Sequence, residues 1–261
     1  MKKAEKKSYI LMLPSLVGMG LCFLYPLLYI IISSFRKNPF SGGFAFFDNF
    51  KTIFNNPYFL NALKNSALFT VVAVLVTMAT ATLFAAVIYN KAKRLPFIKS
   101  LFVIPYLLPS SLLTSVWSAL FPDAPPFLTL TVLFVIKNAG LAVMLLSSAL
   151  CRVSEDIISA AAIDGARGAK LYFRILLPSV SPTLLFTFIL TLSAGTGIYR
   201  ESYLLYGEYP DSSVYMIQNY LNNHFEKLNY QYVSAAALVY TIAVMLLAVL
   251  ALRLERRYGC E

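Results

Sequence analysis

Lys137 and Asn138 stand side by side in an otherwise apolar run, FLTLTVLFVIKNAGLAVMLLSSAL. A lysine within a membrane-length segment costs about 2.5–3.5 kcal/mol to insert. Its ammonium must therefore face a bundle interior, a partner or a wet cavity, or else reach along its own stem to the surface. Two further faces carry hydroxyls at helical spacing. Thr183, Thr187, Thr191 and Gly195 recur every four residues, and Ser111, Ser115 and Ser118 line a second face. Small polar residues of this kind either let helices approach and bond across the contact or line a path for a polar solute. Both alternatives stay open, which makes Lys137, Asn138, Ser111, Ser115, Thr187 and Thr191 the candidates for a solute path. Other chemistry is scarce. His224 is the only histidine, and Cys22, Cys151 and Cys260 show no paired spacing. Few acidic residues fall within apolar runs, and no G-x-x-x-x-G-K-[ST] phosphate loop occurs. No catalytic group and no metal site are expected, and any energy from nucleotide hydrolysis would have to arrive through another chain.

The elements that position these residues are membrane spans. The chain has 261 residues, 59% hydrophobic and 13% charged, with mean hydropathy +0.69. That composition belongs to integral membrane proteins. A crossing helix needs about 20 apolar residues, and six such runs occur, at about 9–33, 67–89, 96–120, 127–150, 179–197 and 233–252. The expected fold class is an all-α integral membrane bundle of six transmembrane helices. The first run follows MKKAEKK but is longer than a signal-peptide core and lacks a cleavage site, so it is expected to be retained. Pro105 and Pro109 fall inside the third run, where the carbonyls they free need a neighbouring helix or a cavity.

Net charge +10 does not indicate nucleic acid, because the basic residues cluster at the ends of apolar runs. Fifteen of the 22 Lys and Arg fall in segments 1–8, 91–99, 151–178 and 253–261, against six in the alternate segments. The bias predicts a cell-membrane protein with its N-terminus 1–8, loop 151–178 and tail 253–261 in the cytoplasm. The tyrosines Tyr199, Tyr203, Tyr206, Tyr209, Tyr215 and Tyr220 then fall on the outer side, where they suit the interface or contact with a docked protein. Arg200-Glu201 reads equally well as a surface pair.

Loop 151–178 has the most distinctive pattern. Ser154 is placed to cap a helix, and Glu155 and Asp156 sit in its first turn, where the dipole favours negative charge. Ala160, Ala161 and Ala162 propagate the helix with a flat face, and Gly165 supplies a left-handed stop. A second short helical piece with Arg167, Lys170 and Arg174 follows, and Pro178 lies near the start of the next apolar run. A short helix with a small-residue face, held outside a membrane, suits a groove on another protein.

This stretch resembles the cytoplasmic coupling loop of permease subunits of binding-protein-dependent ABC importers, especially the sugar-type permeases. The family pattern is roughly E-A-A-x-x-D-G-A, then Phe, Leu-Pro and a further Pro; Ala160, Ala161, Asp164, Gly165, Ala166, Phe173, Leu177, Pro178 and Pro182 match it. Ser159 stands where the family has Glu, removing one polar contact to a partner. Val153-Ser154 replaces the usual Ile-Pro. Phe47-Asp48-Asn49-Phe50, Pro105-Tyr106 with Pro109, and Tyr203 to Pro210 resemble other family segments. The resemblance implies a type I ABC importer permease-like bundle working by alternating access. It also implies coupling to an ATPase through Glu155, Ser159, Ala160, Ala161, Asp164, Gly165, Ala166, Phe173 and Pro178. The implied partners are a second permease subunit, expected to be a different chain, two ATPase subunits, an extracytoplasmic solute-binding protein and membrane lipid. No cofactor is expected on this chain, with ATP and Mg bound by the partner ATPase. Substrates of the maltose, oligosaccharide and glycerol-phosphate types are not separated by these motifs. The competing expectation is a membrane scaffold that kept the fold and lost transport.

Overall fold

The computed structural model describes residues 12–38, 43–94 and 97–258, so expectations for residues 1–11, 39–42, 95–96 and 259–261 lie outside the described residues. Among the described residues the regular structure is helical, apart from one isolated antiparallel bridge between Arg36 and Phe44. Among the described residues, five helices are long and apolar enough to cross a membrane: Met12–Ser34, Pro57–Tyr89, Pro126–Leu150, Ser181–Tyr206 and Tyr230–Glu255. A sixth candidate is a bent pair, Phe97–Leu107 with Ser110–Leu120.

The chain divides into two compact units. The first comprises residues 1–60 and 220–242. Its helix α1, Met12–Ser34, contains a π turn at Gly20–Leu24, and its apolar side chains are exposed along most of its length. The chain then reverses. The Asn49 amide, on α2 (Asp48–Phe54), donates to the carbonyls of Ser34 and Arg36 at 2.8 Å each, satisfying backbone groups that the helix end leaves open. Phe59 is fully buried, with ring contacts to Phe54 and Tyr220.

The second unit, residues 61–219 and 243–261, carries the residues of interest. In it α3 (Pro57–Arg94, from Asn61 on) meets the helix Pro126–Leu150 in two buried clusters. One buried cluster joins Phe69, Ala73, Leu130, Phe134, Ile198 and Met216. Another joins Ala81, Ala85, Ala142, Leu146, Tyr172 and Leu176. Lipid tails are as apolar as leucine, so helix association within a membrane depends on close van der Waals packing, and the alanines in this seam permit it.

The third candidate span differs from the single helix expected for 96–120. It runs as α4 (Phe97–Leu101) and α5 (Ile104–Leu107), breaks at Leu108-Pro109, and resumes as α6 (Ser110–Leu120), bent by 82°. The cause is local. Leu108 precedes proline and is extended, at φ −69° and ψ 140°, because the proline ring disfavours the helical region for the residue before it. The fourth span is α7, Pro126–Leu150. Gly140 on α7 meets the backbone of Phe102 so closely that a Cβ would lie 1.6 Å from the Phe102 oxygen. Only glycine allows the broken span to sit there.

After α7 comes α8 (Glu155–Ile163), then α9 (Gly168–Leu171), a π turn at Tyr172–Leu176 and the apolar helix α10 (Ser181–Gly195). A further helix, α11 (Tyr199–Tyr206), continues the fifth span beyond the expected limit at residue 197. The last helices are α12 (Ile217–Glu226) and α13 (Tyr230–Tyr258).

Candidate functional site

The 82° break in the third span opens a cavity of about 450 Å³ between α5, α7 and α11. Its polar wall consists of Tyr106, Ser110, Lys137, Asn138, Arg200 and Glu201. Each comes from an element end or a face fixed by packing. Ser110 is the first residue after the Pro109 break, Lys137 and Asn138 lie on α7 beside the buried Phe134, and Glu201 is in the first turn of α11.

Three of these residues form one network. The Lys137 ammonium donates to Glu201 Oε1 at 2.7 Å and to Ser110 Oγ at 2.6 Å, and the Ser110 hydroxyl donates to Glu201 Oε1 at 2.6 Å. The side chains of Lys137 and Glu201 are only 22% and 7% exposed, so the ion pair is largely removed from solvent. A buried charge is tolerated when it is paired and hydrogen-bonded, and here both conditions hold. Lys137 therefore points into the bundle and does not extend to the surface. The network also ties α6, α7 and α11 to one another.

Sequence reasoning missed two of the three partners. Ser110 and Glu201 were not among the path candidates, and Arg200-Glu201 was equally readable as a surface pair. Glu201 is instead buried at 5% exposure, and it lies within the Ser181–Tyr206 span. The misplacement came from the span boundary. Thr196-Gly197 followed by two charges looks like an exit from the membrane, whereas α11 continues it. The signal that could have found Glu201 was Lys137 itself, since a lysine inside a span requires an anion near it.

The other candidates fall in three places. Asn138 lines the cavity and donates from its amide to the Phe134 carbonyl at 2.9 Å. Thr187 and Thr191 border a smaller space of about 70 Å³ that shares Tyr106, Asn138 and Ala194 with the larger cavity. Both threonines are buried, and their hydroxyls donate to carbonyls one turn back on α10, so the helix's own backbone takes up their donor hydrogens. Ser111 and Ser115 are exposed on α6 and are not brought to the cavity. Among the described residues, no group of three His, Cys, Asp or Glu is placed to hold a metal.

The segment after α7 forms a second feature. Ser154 occupies the N-cap position with extended backbone, but its hydroxyl makes no capping bond, contrary to the expectation from sequence. Glu155 and Asp156 remain in the first turn and complement the dipole. At the other end Gly165 has φ +74°, and the amides of Gly165 and Ala166 donate to the carbonyls of Ala162 and Ala161. This is the paired Schellman closure that a left-handed glycine permits. Ala161 and Ala166 are buried and Pro178 is half-buried, whereas Glu155, Ser159, Ala160, Asp164, Gly165 and Phe173 are exposed. Ile157 is 45% and Ile163 88% exposed, leaving α8 with an apolar outer face.

Tyr172 anchors this segment, its hydroxyl donating to the Thr82 carbonyl on α3 at 2.6 Å. Burial pushes the phenol up from 10.0 to about 12. Its contribution to stability is whole below pH 10 and is lost as pH rises from 10 to 12, because the unfolded chain releases the proton first. Tyr172→Phe is expected to lower stability by about 1 kcal/mol at neutral pH. It should also flatten the decline above pH 10 in a pH series of thermal unfolding; equal slopes for both proteins would contradict this role.

Comparison with known proteins places the chain. Residues 78–259, which include the cavity and the α8 segment, match the family described as binding-protein-dependent transport system inner membrane component. The chain belongs to that family. It is 26% identical over 206 residues to the sn-glycerol-3-phosphate transport system permease protein UgpA of Rhizobium meliloti, covering 69% of this chain and 70% of that one. It is 24% identical over 238 residues to the multiple sugar-binding transport system permease protein MsmF of Streptococcus mutans, covering 82% of each. The fold is shared with a chain of a bacterial alginate ABC transporter in complex with an alginate pentasaccharide-bound periplasmic protein. That match has TM-score 0.79 at 18% identity and covers 98% of this chain and 96% of the other. The all-α bundle is thus the fold of an ABC importer permease, and the chain is a transmembrane component of such an importer.

Proposed function

We propose that this permease imports a sugar or a related polyhydroxylated solute, forming half of a translocation path with a second permease subunit. A pair of ATPases acts on it through the segment Glu155–Phe173, and a solute-binding protein delivers the solute from the opposite side. Both termini and the α8 segment lie in the cytoplasm on this reading, in line with the asymmetry of Lys and Arg. ATP and Mg belong to the partner ATPase. The observation that carries the reading is α8 itself. It is a short helix outside the candidate spans, closed by Gly165, with Ile157, Ile163 and Phe173 left uncovered. Exposed apolar side chains on a short helix outside the candidate spans fit a partner groove. The kinship with UgpA and MsmF supports the solute class, and the bound periplasmic protein of the alginate transporter supports the partner on the far side.

The test is co-purification from native membrane. Gly165→Pro places a residue limited to φ near −65° at a φ of +74° and removes the amide that donates to Ala162. The native chain is expected to bring down an ATPase and a second permease, and the variant to lose the ATPase while still carrying the second permease. Solute-stimulated ATP hydrolysis by the native complex in liposomes completes the test. A complex without an ATPase would make the chain a scaffold that has kept the permease fold.

A further inference from the structure

We propose that the 450 Å³ cavity selects hydroxylated solutes bearing an anionic group, a carboxylate or a phosphate, and that Arg200 determines this selectivity. The inference rests on the permease reading and goes beyond it to the substrate class.

The charges that face the cavity are Lys137, Glu201 and Arg200. Lys137 and Glu201 neutralise each other at 2.7 Å, and Ser110 occupies a further position on the same Glu201 oxygen. Their charges are spent on one another. Arg200 is exposed, and no carboxylate pairs with it among the described residues. The wall therefore keeps one positive charge in excess, at a group that water reaches. A guanidinium presents two parallel N–H donors to a carboxylate or phosphate, a charge-assisted contact whose fork geometry a neutral hydroxyl does not match.

The rest of the wall suits a hydroxylated body. The Asn138 amide is committed to the Phe134 carbonyl, which leaves its side-chain oxygen as an acceptor for a hydroxyl. Tyr106, 41% exposed, offers an aromatic ring. A neutral sugar could use these two groups but would leave the Arg200 charge without a counter-ion, whereas an anionic one uses all three.

The experiment is saturation-transfer NMR on the intact importer complex in nanodiscs, with glucose, glucuronate and glucose 1-phosphate as probes. Working on the complex without its solute-binding protein keeps that protein's own selectivity out of the measurement. At least one anion is expected to bind about tenfold more tightly than glucose. Transfer from glucuronate alone assigns a carboxylate, and from glucose 1-phosphate alone a phosphate. Arg200→Gln should bring the anions down to the level of glucose, while Arg200→Lys, which keeps the charge without the fork, should retain part of the preference. Binding of glucose as tight as that of both anions overturns the proposal. So does an anion preference that survives Arg200→Gln, or the absence of transfer from both anions. Co-purification of the ATPase reports on the permease reading separately, so a charge-blind cavity in an intact importer would remove this inference alone.

Discussion

Glu201→Leu is expected to destabilise the folded chain by about 3 kcal/mol, while Lys137→Met/Glu201→Leu recovers most of that loss. The single substitution leaves the Lys137 ammonium among apolar helices with only Ser110 as partner, at a side chain 22% exposed. Water at the cavity mouth moderates the penalty, which places it at the low end of the range for a broken buried pair. The double variant removes the stranded charge as well. Ser110 is then left with a hydroxyl that can turn to its own backbone, at small cost. Unfolding of the purified chain in mixed micelles, by heat or by rising SDS fraction, would measure all four members of the cycle. The expected pattern is strong coupling, with the double variant more stable than either single one. Simple addition of the two single losses would mean that the pair does not hold α6, α7 and α11 together.

Gly140→Ala is expected to be as damaging, for a steric reason. A Cβ at this position would lie 1.6 Å from the Phe102 oxygen and 2.7 Å from its carbonyl carbon. Both are backbone atoms, so no rotamer change can relieve the clash, and α7 must retreat from the broken span. In an unencumbered helix the same change would stabilise by nearly 1 kcal/mol. Here the overpacking is expected to outweigh that gain and cost about 3 kcal/mol. Gly195→Ala is the control. Its nearest neighbour would be the Thr70 methyl at 3.4 Å, an ordinary contact, so a neutral or slightly stabilising result is expected. Thermal stability followed by gel filtration of the detergent-solubilised variants distinguishes the two. A Gly140→Ala protein as stable as the native chain would show that the seam between α7 and Phe102 is looser than the structure has it.

The Lys137–Glu201 pair also marks where sequence reading stopped. Apolar length alone reveals the spans, because the hydrocarbon interior imposes a minimum run of apolar residues whatever the neighbours are. The α8 segment is legible for a similar reason. Its stop depends on a left-handed residue, and its order of Ala, Asp, Gly, Phe and Pro is contained in one short stretch. Pro109 likewise announced a disturbance in the third span through local sterics. The magnitude of the disturbance, 82°, was not legible, since it depends on where α7 leaves room at Gly140 for the Phe102 backbone.

What the sequence determined by itself, then, was whatever a single segment decides: an all-α membrane chain, its spans, the capped α8 helix and the kinship these motifs carry. Only the tertiary structure decided which polar residues share a site. Ser110, Lys137 and Glu201 are 27 and 64 residues apart along the chain, and no local periodicity relates them. Their meeting follows from packing across three helices, which also turned Ser111 and Ser115 outward and drew Thr187 and Thr191 into helix contacts. Burial in an apolar bundle raises the cost of an unpaired charge, and that cost makes a lysine and a distant glutamate partners.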